Sequence, residues 1–84
     1  MTFLRVFTVA WCPHCIGLLA FLDKAKIGYQ NFDVDDDDQH WQEAMRLAGG
    51  QDIVPVVECK GSVAFGQFNA AMEKKIRDMI ETSR

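Results

Sequence analysis

Cys12 and Cys15 enclose Pro13 and His14, so two thiols stand three residues apart in a chain of 84 residues. That spacing serves two chemistries. In thiol–disulfide exchange one thiolate attacks and the second thiol resolves the mixed disulfide. In a structural zinc site four ligands are needed, commonly from a second such pair. The other candidate ligands, Cys59, His14 and His40, form no second pair. Zinc is the weaker reading, and no metal is expected. Exchange needs a nucleophile held as an anion. The stretch from Pro13 to about Lys26 reads as a helix, with proline at its first position, Lys24 and Lys26 at its end and Gly28 to close it. Cys12 then falls on the N-cap, where unpaired N–H groups and the helix dipole favour negative charge. A free cysteine titrates at about 8.5, and such placement lowers it to between ~3.5 and ~7.5. Cys15 lies one turn further on. Its Cα is expected about 5–6 Å from that of Cys12, within disulfide range. Cys12 is the expected solvent-facing nucleophile and Cys15 the resolving thiol.

The neighbours carry a bland reading and a chemical one. Pro13 starts the helix, and it also stiffens the loop and removes a donor. His14 is expected to face solvent; protonated, it would favour the Cys12 thiolate, and otherwise it is an exposed imidazole. Trp11 either covers the site or helps hold a partner. Cys59 falls in a predicted strand and reads as an inert, half-buried thiol. The acidic run Asp33, Asp35, Asp36, Asp37 and Asp38 lacks the spaced ligands and glycine turn of a calcium loop, and reads as a solvated helix start.

The elements that must position these residues follow from hydrophobic period and punctuation. Phe3 to Val9 is a predicted strand. Ile16, Leu18, Leu19, Ala20, Phe21, Leu22 and Ala25 make the first helix apolar over most of its circumference, which predicts deep burial against a sheet. Tyr29 to Val34 is the second strand. A second helix opens at Asp35 to Asp38 and ends near Gly49-Gly50, with capping-box spacing from Asp36 to Gln39 and an inward face of Trp41, Ala44, Met45 and Ala48. Val54 to Cys59 and Ser62 to Phe65 pair as a hairpin through Lys60-Gly61. Asn69 caps a last helix whose Met72, Ile76, Met79 and Ile80 face inward, with Arg77 at i,i+4 spacing from Glu73 and Glu81. The order is βαβαββα: one α/β domain over residues 1–84, a mixed four-stranded sheet with three helices.

Composition removes other classes. Nine basic and twelve acidic side chains give a net charge of −3, which leaves no footprint for nucleic acid or anionic lipid. No apolar run is long enough to span a membrane, and Met1 to Ala10 lacks the charge order and cleavage site of a signal peptide. A cytoplasmic protein is expected, where three cysteines would not form a structural disulfide framework.

Three features together resemble glutaredoxins over nearly the whole chain: Cys12-Pro13-His14-Cys15 after the first strand, Gly50-Gln51-Asp52-Ile53-Val54-Pro55, and Gly66 after the last strand. The resemblance implies the thioredoxin-like fold, with a cis proline at Pro55 facing the dithiol. It also implies that the backbone of Val54 receives an extended substrate as an added strand would. Gly66 and Gln67 fall in the stretch that in this family receives the glutamyl end of glutathione. Several positions depart from the family pattern. Val9 stands where a lysine is frequent, Ile53 replaces a threonine, and Gly66-Gln67-Phe68-Asn69 replaces Gly-Cys-Asp-Asp. Each change removes a charged or hydroxyl partner for glutathione. Val54-Pro55-Val56-Val57 is similar to glutathione-independent redoxins recharged by thioredoxin reductase, and Trp11 is similar to its counterpart in thioredoxin.

The expected function is therefore a monomeric thiol–disulfide oxidoreductase acting on protein disulfides or mixed disulfides. It should hold no tightly bound cofactor, use glutathione as a weak co-substrate or thioredoxin reductase as the electron donor, and bind neither nucleic acid nor membrane. The rival of another class is a binding protein, either a thioredoxin-like adaptor or a carrier of metal or an iron–sulfur cluster.

Overall fold

A computed structural model describes residues 4–82. The predicted start of the first strand at Phe3 lies outside them. The elements are β1 (Leu4–Thr8), α1 (Pro13–Lys24), β2 (Tyr29–Asp33), α2 (Asp38–Leu47), β3 (Val56–Cys59), β4 (Ser62–Phe65) and α3 (Ala70–Thr82). The four strands lie in the order β2-β1-β3-β4, with β1 parallel to β2 and antiparallel to β3, and β3 antiparallel to β4. This is the expected mixed sheet in βαβαββα order.

Alternation along the strands splits the interior into two layers, because successive side chains point to opposite faces. Leu4 and Val6 of β1 and Val57 and Cys59 of β3 face one way, where Leu18 and Leu22 of α1 and Met72, Ile76 and Met79 of α3 cover them. Phe7 and Val56 face the other way, towards Ala44 and Ala48 of the α2 segment, and Cys12 and Cys15 belong to this second layer. Cys59 is fully buried in the first layer, more deeply than its sequence position implied.

Several local details differ from expectation. The first helix stops at Lys24, and Lys26 rather than Gly28 takes the left-handed conformation (φ 57°) that turns the chain. The N–H of Ile27 then reaches the carbonyl of Leu22 (3.0 Å), closing the helix and placing Ile27 against the first layer. The α1 helix is not buried around its circumference: Cys15, Leu18 and Leu22 are buried, whereas Ile16 and Ala20 are exposed. Asp37, not Asp36, caps α2, accepting from the N–H of Gln39 at 2.8 Å. The hairpin strand starts at Val56 instead of Val54, beyond a cis bond between Val54 and Pro55. Proline has no N–H to give the ladder. Lys60 and Gly61 both have positive φ (48° and 91°), which suits a two-residue hairpin turn. Asn69 caps α3 as expected, accepting from the N–H of Met72 at 3.0 Å. The Arg77 guanidinium lies 5.1 Å from the centre of the Phe21 ring, and Lys74 pairs with Asp78 at i,i+4 spacing on the outer face of α3.

Candidate active site

Strand β1 delivers the chain from the centre of the sheet straight to the dithiol. After Thr8 the loop 9–12 turns, and Cys12 adopts an extended conformation (φ −89°, ψ 119°) as the N-cap of α1, with Pro13 at the first helical position. The N–H of Cys15 points back at the Cys12 sulfur (3.4 Å). One orphan donor of the helix start is thereby spent on sulfur, and a negatively charged sulfur is the stronger acceptor for it. Both residues are present as thiols.

Their surroundings differ. Cys12 keeps 9% exposure and lines a groove of about 370 Å³ with Trp11, Asp35, Asp52, Ile53 and Val54. It is more enclosed than a simply solvent-facing nucleophile, because those walls rise on both sides of it. Cys15 is wholly buried. Burial pushes its thiol up to about 12, a backbone hydrogen bond from Val9 opposes the shift, and the neighbouring Cys12 adds to it.

The other predicted residues separate into two groups. Trp11 and Val54 join Cys12 in the groove, and Trp11 is 74% exposed, held by an indole N–H donating to Asp35 (2.9 Å). Val54 borders the groove with its backbone N–H and C=O unbonded to any other backbone group among the described residues. Pro55 is cis and buried, and its carbonyl accepts from the N–H of Gly66 (3.2 Å), tying the two loops together. Gln67 lies elsewhere, in a depression with Phe65, Asn69 and Lys75.

His14 is exposed, as expected, but its ring is engaged. Its Nδ1 accepts from the N–H of Phe68 at 3.3 Å. That contact ties the head of α1 to the segment after β4. The Phe68 ring turns inward against α1. It reaches Phe21 with ring centres 5.6 Å apart, and a Cβ placed on Gly17 would meet its Cδ2 at 3.3 Å.

Sequence reasoning did not single out Asp35 and Asp52 as groove residues, nor Ile16 beside Cys15 as an exposed apolar residue. The only available signal was position: each lies within a few residues of a strand or helix end that the topology brings to the dithiol. His40 and Cys59 take no part. The His40 ring packs edge-on to Phe32 and contacts the carbonyl of Asp33 (3.1 Å), and Cys59 lies in the other layer. Among the described residues no three His, Cys, Asp or Glu side chains gather as a metal site, and no helix is long and apolar enough to cross a membrane.

Comparison with known proteins agrees with this geometry. The glutaredoxin family model matches residues 4–64. Glutaredoxin 1 of Rickettsia typhi is 30% identical over 81 residues, covering 92% of this chain and 78% of that protein. Among solved structures, a glutaredoxin from Archaeoglobus fulgidus superposes with a TM-score of 0.77 at 21% identity, over 95% of this chain and 87% of that one. A buckwheat glutaredoxin solved as a glutathione complex gives a TM-score of 0.73 at 26% identity, over 98% of this chain and 79% of that one. With its Cys12–Cys15 pair at the head of α1 and its thiol–disulfide oxidoreductase fold, the chain belongs to the glutaredoxin family.

Proposed function

We propose that this oxidoreductase reduces protein disulfides by a dithiol mechanism in which Cys12 attacks and Cys15 resolves. The observation that carries the assignment is the contrast between the two sulfurs. One keeps 9% exposure on a groove and accepts a helix N–H, and the other is wholly buried with its thiol pushed up to about 12. The Cys12 thiolate forms a bond to one sulfur of the substrate disulfide while the other sulfur leaves with the bonding pair and takes up a proton. Cys15 then loses its proton, attacks the Cys12 sulfur and expels the second substrate thiolate. The substrate gains two electrons and two protons, and Cys12–Cys15 ends as a disulfide. The unbonded Val54 backbone beside the groove supports docking of an extended substrate segment there.

Glutathione is proposed as a weak electron donor and thioredoxin reductase as the stronger one. Phe68 supports this, since its side chain turns into α1 and its N–H is taken by His14, which leaves neither for a ligand. The roles of the cysteines are tested with single variants on a protein disulfide and a glutathione mixed disulfide. Cys12→Ser should abolish turnover of both, whereas Cys15→Ser should lose the protein disulfide and keep some activity on the mixed one. Full activity of Cys12→Ser on either substrate would refute the mechanism. For the donor, NADPH is supplied with either glutathione and its reductase or thioredoxin reductase. Faster reduction through glutathione would reverse that assignment.

A further inference from the structure

The formal charge on the segments that lead from the strand ends to the dithiol groove is of one sign. The strand register brings Thr8 beside Asp33, Phe7 beside Val56 and Val56 beside Phe65, so these strand ends share one edge of the fold. The segments running from that edge, 9–16, 33–41, 48–55 and 65–70, contain six aspartates and neither lysine nor arginine. Five of them, Asp35, Asp36, Asp37, Asp38 and Asp52, are exposed, and Asp35 and Asp52 are part of the groove over Cys12. Two cations of the sheet face, Arg5 and Arg46, are paired with Glu43, and Lys75 lines the separate depression that holds Gln67.

The same end carries large apolar side chains that stand in solvent. Trp11 lines the groove at 74% exposure, and Ile16, next in the chain to Cys15, is 57% exposed. An apolar collar ringed by polar groups marks a surface that meets another protein. The sign of the ring then decides which protein, because like charges brought together at an interface are costly and opposite charges speed encounter.

We propose that the groove selects disulfides carried on exposed protein segments with lysine or arginine within a few residues of the attacked cysteine, and disfavours anionic disulfides. The inference rests on the reading of Cys12 as nucleophile and adds the class of substrate. The apolar collar takes the segment's side chains, and Asp35 and Asp52 take its cations. During attack a full negative charge is spread over three sulfurs in line, within a field already negative, and a cation on the substrate offsets both. Glutathione, with two carboxylates against one ammonium at neutral pH, brings the wrong sign.

Three cyclic disulfide peptides, identical except for lysine, serine or glutamate beside the cysteines, test this. Each is mixed with the fully reduced protein and the bimolecular rate of peptide reduction measured at about 20 mM and about 500 mM salt, where screening is respectively weak and nearly complete. The lysine peptide should react at least about tenfold faster than the glutamate peptide at low salt, the serine peptide falling between. The ratio should shrink towards one at high salt, and Asp52→Lys should lower it by about threefold or more at low salt. A lysine-to-glutamate ratio within about twofold at low salt, or one indifferent to both salt and Asp52→Lys, would overturn the charge preference. If the serine peptide is still reduced in that case, the oxidoreductase reading stands without it. Failure of the wild-type protein to reduce any of the three would overturn the nucleophile reading and this inference with it.

Discussion

The buried sulfur sets the pH dependence of the second half-reaction. Burial pushes the Cys15 thiol up to about 12, the adjoining Cys12 contributing less than the loss of solvent. A thiol titrating there is ionised to about one part in 10⁵ at pH 7, and its thiolate fraction rises tenfold with each pH unit. When Cys12 is tied up in a mixed disulfide its own contribution disappears, but burial stays, so the resolving step should still climb with unit slope. From pH 6 to pH 9 that is roughly a thousandfold in rate. Mixing reduced protein with an excess of an aromatic disulfide separates the two steps by absorbance. The first release of aromatic thiolate depends on reagent concentration and reports Cys12. The second is independent of concentration, reports attack by Cys15, and should vanish in Cys15→Ser. A plateau of that second phase below about pH 8 would refute the reasoning, since it would mean that Cys15 ionises as an ordinary thiol.

Two further predictions concern stability. Arg46 beside Glu43, with Arg5 on its other side, draws the Glu43 carboxyl down to about 2. Its stabilisation is therefore complete above the ordinary carboxylate range near 4.3 and is lost as pH falls towards the folded value, so Glu43→Gln should cost about 0.5–1 kcal/mol at pH 7 and almost nothing near pH 2 in denaturant titrations. A gap that persists at low pH would remove the ion pair as its cause. Gly17→Leu adds a side chain where even a Cβ would come within 3.3 Å of Phe68. Overpacking of about 1–3 kcal/mol should exceed the helix-propensity gain of under about 1 kcal/mol, and an unchanged or raised denaturation midpoint would show that Phe68 is not seated on α1.

Much of this molecule could be read from local pattern, because its elements are short and sharply punctuated. The dithiol, its place at a helix start and the order of elements along the chain follow from Pro13, the Lys60-Gly61 turn and the Asn69 cap, whose effects act within a few residues, whereas the place of β1 between β2 and β3 did not. Boundaries moved where two local signals competed. Lys26 took the left-handed turn because Ile27 had a core to reach, and Asp37 outcompeted Asp36 as a cap. The unread part is non-local. Nothing near His14 announces that it will meet Phe68, 54 residues away. Nor does Arg5 announce that it will join Glu43 and Glu58 on the α2 face of the sheet. The exposure of Ile16 was missed because an apolar helix was assumed to have one burying surface on every side.

The division of the interior into two layers has a consequence for how the molecule breathes. The layer under α1 and α3 holds fully buried leucine, isoleucine and methionine from its helices, whereas the α2 segment sends only Ala44 and Ala48 fully inside, with Trp41 and Leu47 half-buried against the second layer. Opening should therefore begin with α2 lifting away, at a fraction of the free energy of global unfolding, and amide exchange should be fastest there. Because Cys12 and Cys15 belong to that lighter layer, such an excursion would unseat the sulfurs while the rest of the fold stays shut. Durability and reactivity are thus lodged in different halves, and a replacement could alter one with little effect on the other.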